Sequence, residues 1–275
     1  METSIAYTSG EHIIIRGRDL AGELMGAADY TDMMLLTSLG RMPSPGEKAV
    51  VNAIMVSLMD HGITPSSLAA RLTYLGAPES FQSAVAAGLL GAGSTFLGGM
   101  QDVTVLLREA VAGLAGSADA PGSDASGSGA SGSGAPALSD DAVREAADAL
   151  VAARRAARLR MPGLGHNVHS TGDPRVAVLR RIVQQHDLYD VHWRLMDQLP
   201  AAFERATGKT LPMNNVGAVG ASIAALGYPA QMGRGIALAA RAGGLIAHLI
   251  EEAEKPLAKD VWEATLAELE PEEAS

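Results

Sequence analysis

A fifteen-residue stretch, residues 161–175, concentrates the groups of this chain that could do chemistry. It reads MPGLGHNVHSTGDPR and holds three glycines, two histidines and an arginine. Gly163 and Gly165 permit a tight turn and let backbone N–H groups approach a ligand closely. His166 follows that turn directly, and Arg175 can grip a carboxylate through two parallel hydrogen bonds. These residue types predict a site for an anionic small molecule.

A basic run lies immediately upstream, in the segment RRAARLR at residues 154–160. It stands out because the formal net charge of the whole chain is −10. The side chains of Arg158 and Arg160, with the glycine turn at residues 163–165, are candidates to cradle a phosphate-bearing ligand.

The same stretch also has a purely structural interpretation. It can be a surface turn between two helices, with Asp173 as the N-cap of the second helix and Pro174 as its first residue. A turn of that kind needs neither His166 nor the arginines, so it accounts for only part of the stretch.

Composition limits the fold and the class of partner. The chain has 275 residues, 47% of them hydrophobic and only 4% aromatic, and it has no cysteine. Alanine- and leucine-rich composition favours helices, and the lack of cysteine excludes disulfides, thiolate metal sites and a cysteine nucleophile. The acidic balance argues against nucleic acid and membrane surfaces as partners. We see no signal peptide and no apolar run of the roughly 18–20 residues that span a bilayer, so we expect a cytoplasmic protein.

Apolar spacing predicts helices along most of the chain, with one flexible segment. A β-like run at residues 12–16 predicts a pair of strands at most. Residues 116–138 consist largely of Gly, Ser, Ala, Asp and Pro, so we expect a flexible linker there. We expect the Gly243–Gly244 pair to interrupt a long apolar helix over residues 231–252, and an acidic, solvated tail after it. His248 is a lone histidine on that apolar helix, which is typical of a core position.

Several segments resemble one family. The stretch PGLGHNVHSTGDPR resembles the P-G-x-G-H…D-P-R signature of the citrate synthase superfamily, which includes citryl-CoA lyases and the C-terminal module of ATP-citrate lyase. Residues 12–20 (HIIIRGRDL), the DHG and PSSLAAR segments between residues 60 and 71, and residues 239–252 are similar to further family segments in the same order. The resemblance covers nearly the whole chain.

The resemblance implies an all-α, citrate-synthase-like fold. Residues 1–97 and 213–275 would form a large helical domain, and residues 98–212 a smaller helical domain that closes over the site. Family members are dimers, so we expect a homodimer or a higher homo-oligomer. The small-residue helices at residues 81–92 and 214–226 would suit its interface.

The resemblance also implies roles for individual residues. His61 and His166 would be catalytic, holding the carboxylate end and the oxygen on the carbon that reacts. The substrate-binding residues would clamp carboxylates or donate to an enolate oxygen, and they are Arg175, Arg241, Asn214 and Asn215. The residues expected to bind coenzyme A are Gly163, Leu164, Gly165, Arg158 and Arg160. We expect no metal.

Two positions depart from the family pattern. Citrate synthases have a histidine before a Gly-Gly pair, where this chain has Leu97, and lyases also lack that histidine. The family's catalytic aspartate falls on Val216 in one alignment register and on Gly217 in the other. Neither residue can transfer a proton, although such help is typically worth 10²–10⁴-fold in rate.

The expected activity is citryl-CoA lyase-like cleavage of a hydroxy-polyacyl-CoA thioester to acetyl-CoA and an oxo acid. The expected partners are therefore a small-molecule CoA thioester and a polycarboxylate or oxo acid. The alternatives are a lyase for another 3-hydroxyacyl-CoA, a catalytically silent CoA-ester-binding protein and, less favoured, a thioester hydrolase.

Overall fold

The computed structural model describes residues 3–93, 97–118, 138–165 and 172–269, and within these ranges the protein is almost entirely helical. The all-α prediction is thus confirmed. In chain order the elements are β1 Ala6–Thr8, β2 Ile13–Ile15, β3 Arg18–Asp19, a π-helix Leu20–Leu24, α1 Tyr30–Leu39, α2 Pro45–Met59, α3 Pro65–Gly76, α4 Phe81–Leu90, α5 Gly99–Ala118, α6 Asp140–Ala156, α7 Pro174–Gln185, α8 Val191–Thr207, α9 Asn215–Ala225, α10 Ala230–Glu254 and α11 Ala258–Leu269.

The N-terminal strands form a three-stranded antiparallel sheet, one strand more than the predicted pair. In the register of β1 and β2, Ala6 pairs with Ile15. Arg16 and Gly17 both have positive φ, 47° and 80°, which gives the tight turn that pairs β2 with the two-residue β3. The third strand was missed because two residues show no alternation.

The first three long helices begin with reciprocal caps. In each, an N-cap side chain accepts from the third helical N–H while that third side chain accepts from the N-cap backbone. The pairs are Asp29 with Asp32, Ser44 with Glu47 and Thr64 with Ser67. The Asp29 cap thus starts α1 separately from the π-helix that precedes it.

The small-residue helix α9 packs inside the protein. Residues 217–224 are buried throughout, and a Cβ on Gly220 would lie 2.5 Å from Val103 of α5. Glycine at this position therefore lets the two helices approach closely. The expectation that residues 214–226 form a dimer interface is wrong, because this chain already covers that helix. Helix α4 keeps an exposed apolar edge that includes Leu90.

The predicted linker is shorter than expected at both ends. Helix α5 extends through Ala118, and Leu138 packs against the main core while its carbonyl accepts from Arg194 of α8. The rest of the linker prediction, residues 119–137, lies outside the described residues. That core draws side chains from both predicted domains, for example Trp193 and Ile223. The division into two domains stays a prediction.

Helix α10 runs through Gly243 and Gly244 without interruption. A Cβ on Gly244 would lie 2.0 Å from the carbonyl oxygen of Met59, so the glycine serves close packing against the end of α2 rather than a break. The tail is mostly exposed, as predicted, but it also contains helix α11, which the sequence did not predict. Helix α11 begins where Glu252, which is buried, accepts from the backbone N–H groups of Leu257 and Ala258. No helix in the described ranges is long and apolar enough to cross a membrane.

Candidate functional site

Four elements meet where the sequence placed its substrate-binding residues: the end of α2, the start of α7, the start of α9 and the middle of α10. Ser57 of α2 joins two of them. Its carbonyl accepts from Nη1 of Arg175 at 3.2 Å, and its Oγ accepts from Nδ2 of Asn215 at 3.0 Å. The fold therefore brings Arg175 and Asn215, which are forty residues apart in sequence, to one point.

Asp173 is the centre of this junction. Its fully buried carboxylate accepts from Nε and Nη2 of Arg175, at 2.9 and 2.7 Å, and from the backbone N–H of Asn215 at 2.9 Å. Burial alone would raise the pKa of Asp173, but the charge and hydrogen bonds of Arg175 lower it to about 2. Asp173 is thus ionised at neutral pH and ties α7 to the start of α9.

Arg175 does not present its fork to solvent as the sequence suggested. Its Nε and Nη2 hold Asp173 in a bidentate pair and its Nη1 holds Ser57. Three of the five N–H donors of a guanidinium are thereby used inside the protein, which leaves one on each terminal nitrogen. An internal carboxylate thus occupies one bidentate side of Arg175, and the predicted contact of Arg175 with a ligand carboxylate stays a prediction.

Asn215 has a buried acceptor with no partner. The Ser57 hydroxyl donates its single proton to the carbonyl of Ile54 at 2.9 Å, so the Asn215 group facing Ser57 must be the amide NH₂. The Oδ1 of Asn215 is then left without a hydrogen-bond partner among the described residues, although the residue is only 2% exposed. One N–H of Nδ2 is thus used by Ser57, and the expected donation from Asn215 to an enolate stays a prediction.

Arg241 has a buried donor that lacks an acceptor among the described residues. The residue is buried on α10, and its Nη1 has no hydrogen-bond partner within the described ranges. The nearest carboxylate, Oδ2 of Asp60, lies 3.9 Å from that nitrogen, which is an ion pair but not a hydrogen bond. Burial lowers the pKa of Arg241, Asp60 partly offsets this, and the nearby charge of Arg175 lowers it further. Two nearby guanidinium charges and a buried nitrogen that lacks a partner among the described residues could hold an anion.

The glycine turn at residues 163–165 is hydrogen-bonded to the residues that precede α9. The backbone N–H of Asn214 donates to the carbonyl of Gly163 at 3.0 Å, Nδ2 of Asn214 donates to that of Gly165 at 2.5 Å, and Leu164 forms a bridge with Met213. The N–H of Gly165 donates to Pro212, so it is not open to a phosphate. Asn214 also caps α9 through Oδ1. Both polar atoms of the Asn214 side chain thus have partners in the protein, and its predicted contact with substrate stays a prediction.

The room for a side chain at positions 216 and 217 distinguishes the two alignment registers for the missing aspartate. A Cβ on Gly217 would lie 2.7 Å from both the carbonyl oxygen of Gly163 and the Cε of Met196, so no side chain fits there. Val216 is partly buried, and its Cγ1 would be 3.1 Å from a Cβ on Gly99. Leu97 lies in the same core cluster. Both positions at which citrate synthases would carry ionisable side chains are therefore packed and apolar here.

The basic run is divided between structural and exposed side chains. Arg154 donates to the carbonyl of Arg160, and Arg155 donates to the carbonyl of Ala206. The side chains of Arg158 and Arg160 are exposed and make no hydrogen bond or ion pair with described residues. Their exposed side chains could bind a phosphate. No contact among the described residues links them to Arg241, so their role stays a prediction.

Only one of the two predicted catalytic histidines, His61, lies within the described residues. His166 lies outside the described residues. His61 is exposed at the turn after α2, next to Asp60. A cleft of about 290 Å³ opens beside the junction, and among its lining residues are Gly172, Asp173, Val176, Pro212 and Met213.

Sequence reasoning missed three groups at or behind the site. Asp60 lies beside Arg241, Asp173 holds Arg175, and Nε2 of His248 lies 2.8 Å from Asp60. The Asp-x-Arg spacing of Asp173 and Arg175 was a usable signal, because an N-cap carboxylate reaches the side chain two residues on. Nothing in the sequence predicted that His248 meets Asp60, 188 residues away.

Comparisons with known proteins agree with this fold. The sequence matches the family described as citrate synthase, C-terminal domain, over residues 15–259. Citryl-CoA lyase from Hydrogenobacter thermophilus is 27% identical, with a TM-score of 0.75 over 93% of this chain and 88% of that one. ATP citrate lyase from Methanothrix soehngenii is 17% identical, with a TM-score of 0.70 over 92% of this chain and 39% of that one.

Citrate synthase from Thermotoga maritima MSB8 is less similar, at 20% identity and a TM-score of 0.60 over 83% of this chain and 55% of that one. A sequence comparison with functionally curated proteins gives no match. Since the family match covers most of the sequence and the fold agrees, the chain belongs to the citrate synthase family.

Proposed function

We propose that this protein is a carbon–carbon lyase that cleaves the CoA thioester of a hydroxy polyacid, such as citryl-CoA, into acetyl-CoA and an oxo acid. The observation that carries the proposal is the buried Nη1 of Arg241, near the charge of Arg175, which has no hydrogen-bond partner among the described residues. A buried cation without a full set of partners is costly, and a substrate carboxylate would supply the missing acceptor. Similarity to the citryl-CoA lyase from Hydrogenobacter thermophilus supports this choice within the family.

The unpartnered acceptor narrows the substrate class. The Oδ1 of Asn215 needs a donor, and a carboxylate has none at neutral pH, whereas a tertiary hydroxyl has one. A hydroxy polyacid therefore satisfies both deficiencies at once: its carboxylate meets Arg241 and its hydroxyl meets Asn215. In cleavage, that hydroxyl loses its proton and becomes the carbonyl of the oxo acid, while the electrons of the broken C–C bond pass to the thioester enolate, which takes up a proton.

The remaining roles follow the family resemblance. His166 would hold the reacting oxygen and His61 a carboxylate. The turn of Gly163, Leu164 and Gly165, with Arg158 and Arg160, would face coenzyme A. The cleft beside Asp173 is a candidate for the thioester arm, since it opens next to the glycine turn. We further propose a cytoplasmic homodimer or larger homo-oligomer, which light scattering during gel filtration would test.

A product assay tests the lyase proposal. The protein is incubated with a panel of CoA thioesters that includes citryl-CoA and other 3-hydroxyacyl-CoAs, and the products are identified by mass spectrometry. Release of acetyl-CoA and oxaloacetate from citryl-CoA supports the proposal, and cleavage of another member alone shows a different 3-hydroxyacyl-CoA lyase. Release of free CoA and intact acid would show a thioester hydrolase.

One observation favours a second candidate, a catalytically silent CoA-ester-binding protein. The packed valine at position 216 cannot donate a proton to the enolate carbon. Val216→Asp should then create exchange of acetyl-CoA methyl protons with deuterated water if the rest of the site is competent. Gly217→Asp is the matched variant, and the lack of space there predicts that it destabilises the fold and shows no exchange. A folded Val216→Asp protein that binds CoA without exchange would exclude the citryl-CoA assignment.

A further inference from the structure

A buried histidine connects the site to the opposite side of α10. The Nε2 of His248 lies 2.8 Å from Oδ2 of Asp60, and its Nδ1 lies 2.7 Å from Nη2 and 3.2 Å from Nε of Arg71. Arg71 is itself fully buried, and its Nη1 donates to Glu252 at 2.6 Å while Nη2 also contacts Glu251. Five side chains thus form one hydrogen-bond network that reaches Asp60.

The chemistry of arginine fixes the proton on this histidine. A guanidinium only donates, so the Nδ1 that faces two of its N–H groups must be the acceptor and carry no proton. The single proton of the neutral ring is then on Nε2, where it points at the Asp60 carboxylate. An Nδ1–H would point at the Arg71 donors, so the geometry favours the Nε2–H tautomer.

Asp60 is held in place by this donor and by its own turn. Its Oδ1 accepts from the N–H of Gly62 at 2.7 Å, and its Oδ2 accepts from His248. Oδ2 would lie 3.2 Å from a Cβ on Gly244, so the absence of a side chain there lets the carboxylate rest against α10. In this position Oδ2 is 3.9 Å from Nη1 of Arg241, close enough to balance charge but too far for a hydrogen bond.

We propose that His248 is a positioning residue for ligand binding: its Nε2–H holds the Asp60 carboxylate out of hydrogen-bond range of Arg241, so that Nη1 of Arg241 stays open to a ligand carboxylate. The proposal rests on the proposed function in one respect, the binding of a substrate carboxylate by Arg241. Without His248, the partly exposed Asp60 is free to rotate onto Arg241 and compete with the ligand as an internal carboxylate.

The first test is the tautomer, which needs no ligand. Long-range ¹H–¹⁵N correlation spectra of the histidine rings in the full chain, assigned with His248→Gln, should show His248 as the neutral Nε2–H form at pH 7. His192 is a useful reference because its Nδ1 faces the carboxylate of Asp190 at 2.6 Å. An Nδ1–H or doubly protonated His248 would overturn the proposal.

The second test is citrate binding measured by calorimetry, with folding checked by circular dichroism. Loss of one positioning hydrogen bond and the entry of a competing carboxylate should weaken citrate binding of His248→Leu by about tenfold or more. His248→Gln keeps an amide that can donate to Asp60 and accept from Arg71, so its affinity should stay within about threefold. His192→Leu removes another part-buried histidine paired with an aspartate, and should bind citrate as the wild type does.

The double variant separates positioning from packing. Asp60→Asn placed in His248→Leu removes the competing charge and should restore most of the lost affinity, which a loss of packing would not allow. Equal affinities for His248→Leu and wild type, or no recovery in the double variant, would overturn the positioning role. A wild-type protein that binds no citrate would overturn the proposed function and this role together, whereas a wrong tautomer would overturn this role alone.

Discussion

Two arginines lie side by side in the candidate site, and they differ in how completely the protein satisfies them. Arg175 is bound on three nitrogens by Asp173 and Ser57, and the carboxylate it holds also binds the start of α9. Within the described part of the chain, Arg241 has one ion pair at 3.9 Å and no hydrogen-bond partner for Nη1, although it is the more buried of the two, with a side chain 9% exposed against 23%. Arg175 therefore stabilises the structure of the site, whereas Arg241 is the arginine that we propose binds the ligand.

Breaking the satisfied pair should have the largest effect. Removal of one partner of a buried ion pair leaves an uncompensated charge, and such losses cost about 3–5 kcal/mol. Arg175→Leu should therefore lower the free energy of unfolding by that amount in urea denaturation at pH 7. Arg180→Leu, which breaks a more exposed bidentate pair with Asp197, is the matched control and should cost less. Equal losses in the two variants would mean that the Asp173–Arg175 pair has no special role.

Acid should remove part of the same stabilisation. The folded pKa of Asp173, about 2, lies below the ordinary value of 3.8, so its contribution is complete above pH 3.8 and is lost as pH falls through about 2. The difference corresponds to about 2 kcal/mol. The stability gap between wild type and Asp173→Asn should shrink by that amount between pH 5 and pH 2, as followed by urea denaturation. A gap that stays constant would contradict the depressed pKa.

Asp173 and Arg175 also show which features of the site can be predicted from sequence. Asp173 followed by Pro174 predicted the cap and first turn of α7 correctly, because capping depends on neighbouring residues. The same local argument assigned the Arg175 fork to a ligand. It did not predict the internal pair, because the carboxylate of Asp173 and its third partner, the N–H of Asn215, come together only in the folded chain.

The buried small residues teach the same lesson. Alanine and glycine along α9 predicted a close helix contact, and the contact exists, but its partner is α5 of the same chain rather than a second subunit. The chain from Arg71 through His248 to Asp60 joins residues far apart in sequence, so spacing on one helix identified His248 only as buried. Residue types predicted which groups matter, whereas their pairings depend on tertiary contacts.

A smaller effect should follow from Asn215. Citrate and tricarballylate carry the same three carboxylates, but only citrate has a hydroxyl to donate to Oδ1 of Asn215. A net hydrogen bond of about 1 kcal/mol predicts a preference of roughly fivefold for citrate in the wild type. Asn215→Ala should lose this preference while its affinity for tricarballylate changes little, as measured by calorimetry. A preference that survives in the variant would exclude Asn215 as the hydroxyl acceptor.

The most direct test of the central claim compares the stability of wild type and Arg241→Leu with and without citrate, by urea denaturation at pH 7. If Arg241 is kept for the ligand, replacing an incompletely paired buried cation by a hydrophobic residue should be nearly neutral or stabilising without citrate. With citrate at about 100 times its Kd, the wild type should gain about 2.7 kcal/mol and the variant little, so the order of stability reverses. A loss of about 3 kcal/mol or more in ligand-free Arg241→Leu, comparable with Arg175→Leu, would show that both arginines are structural and would contradict the account.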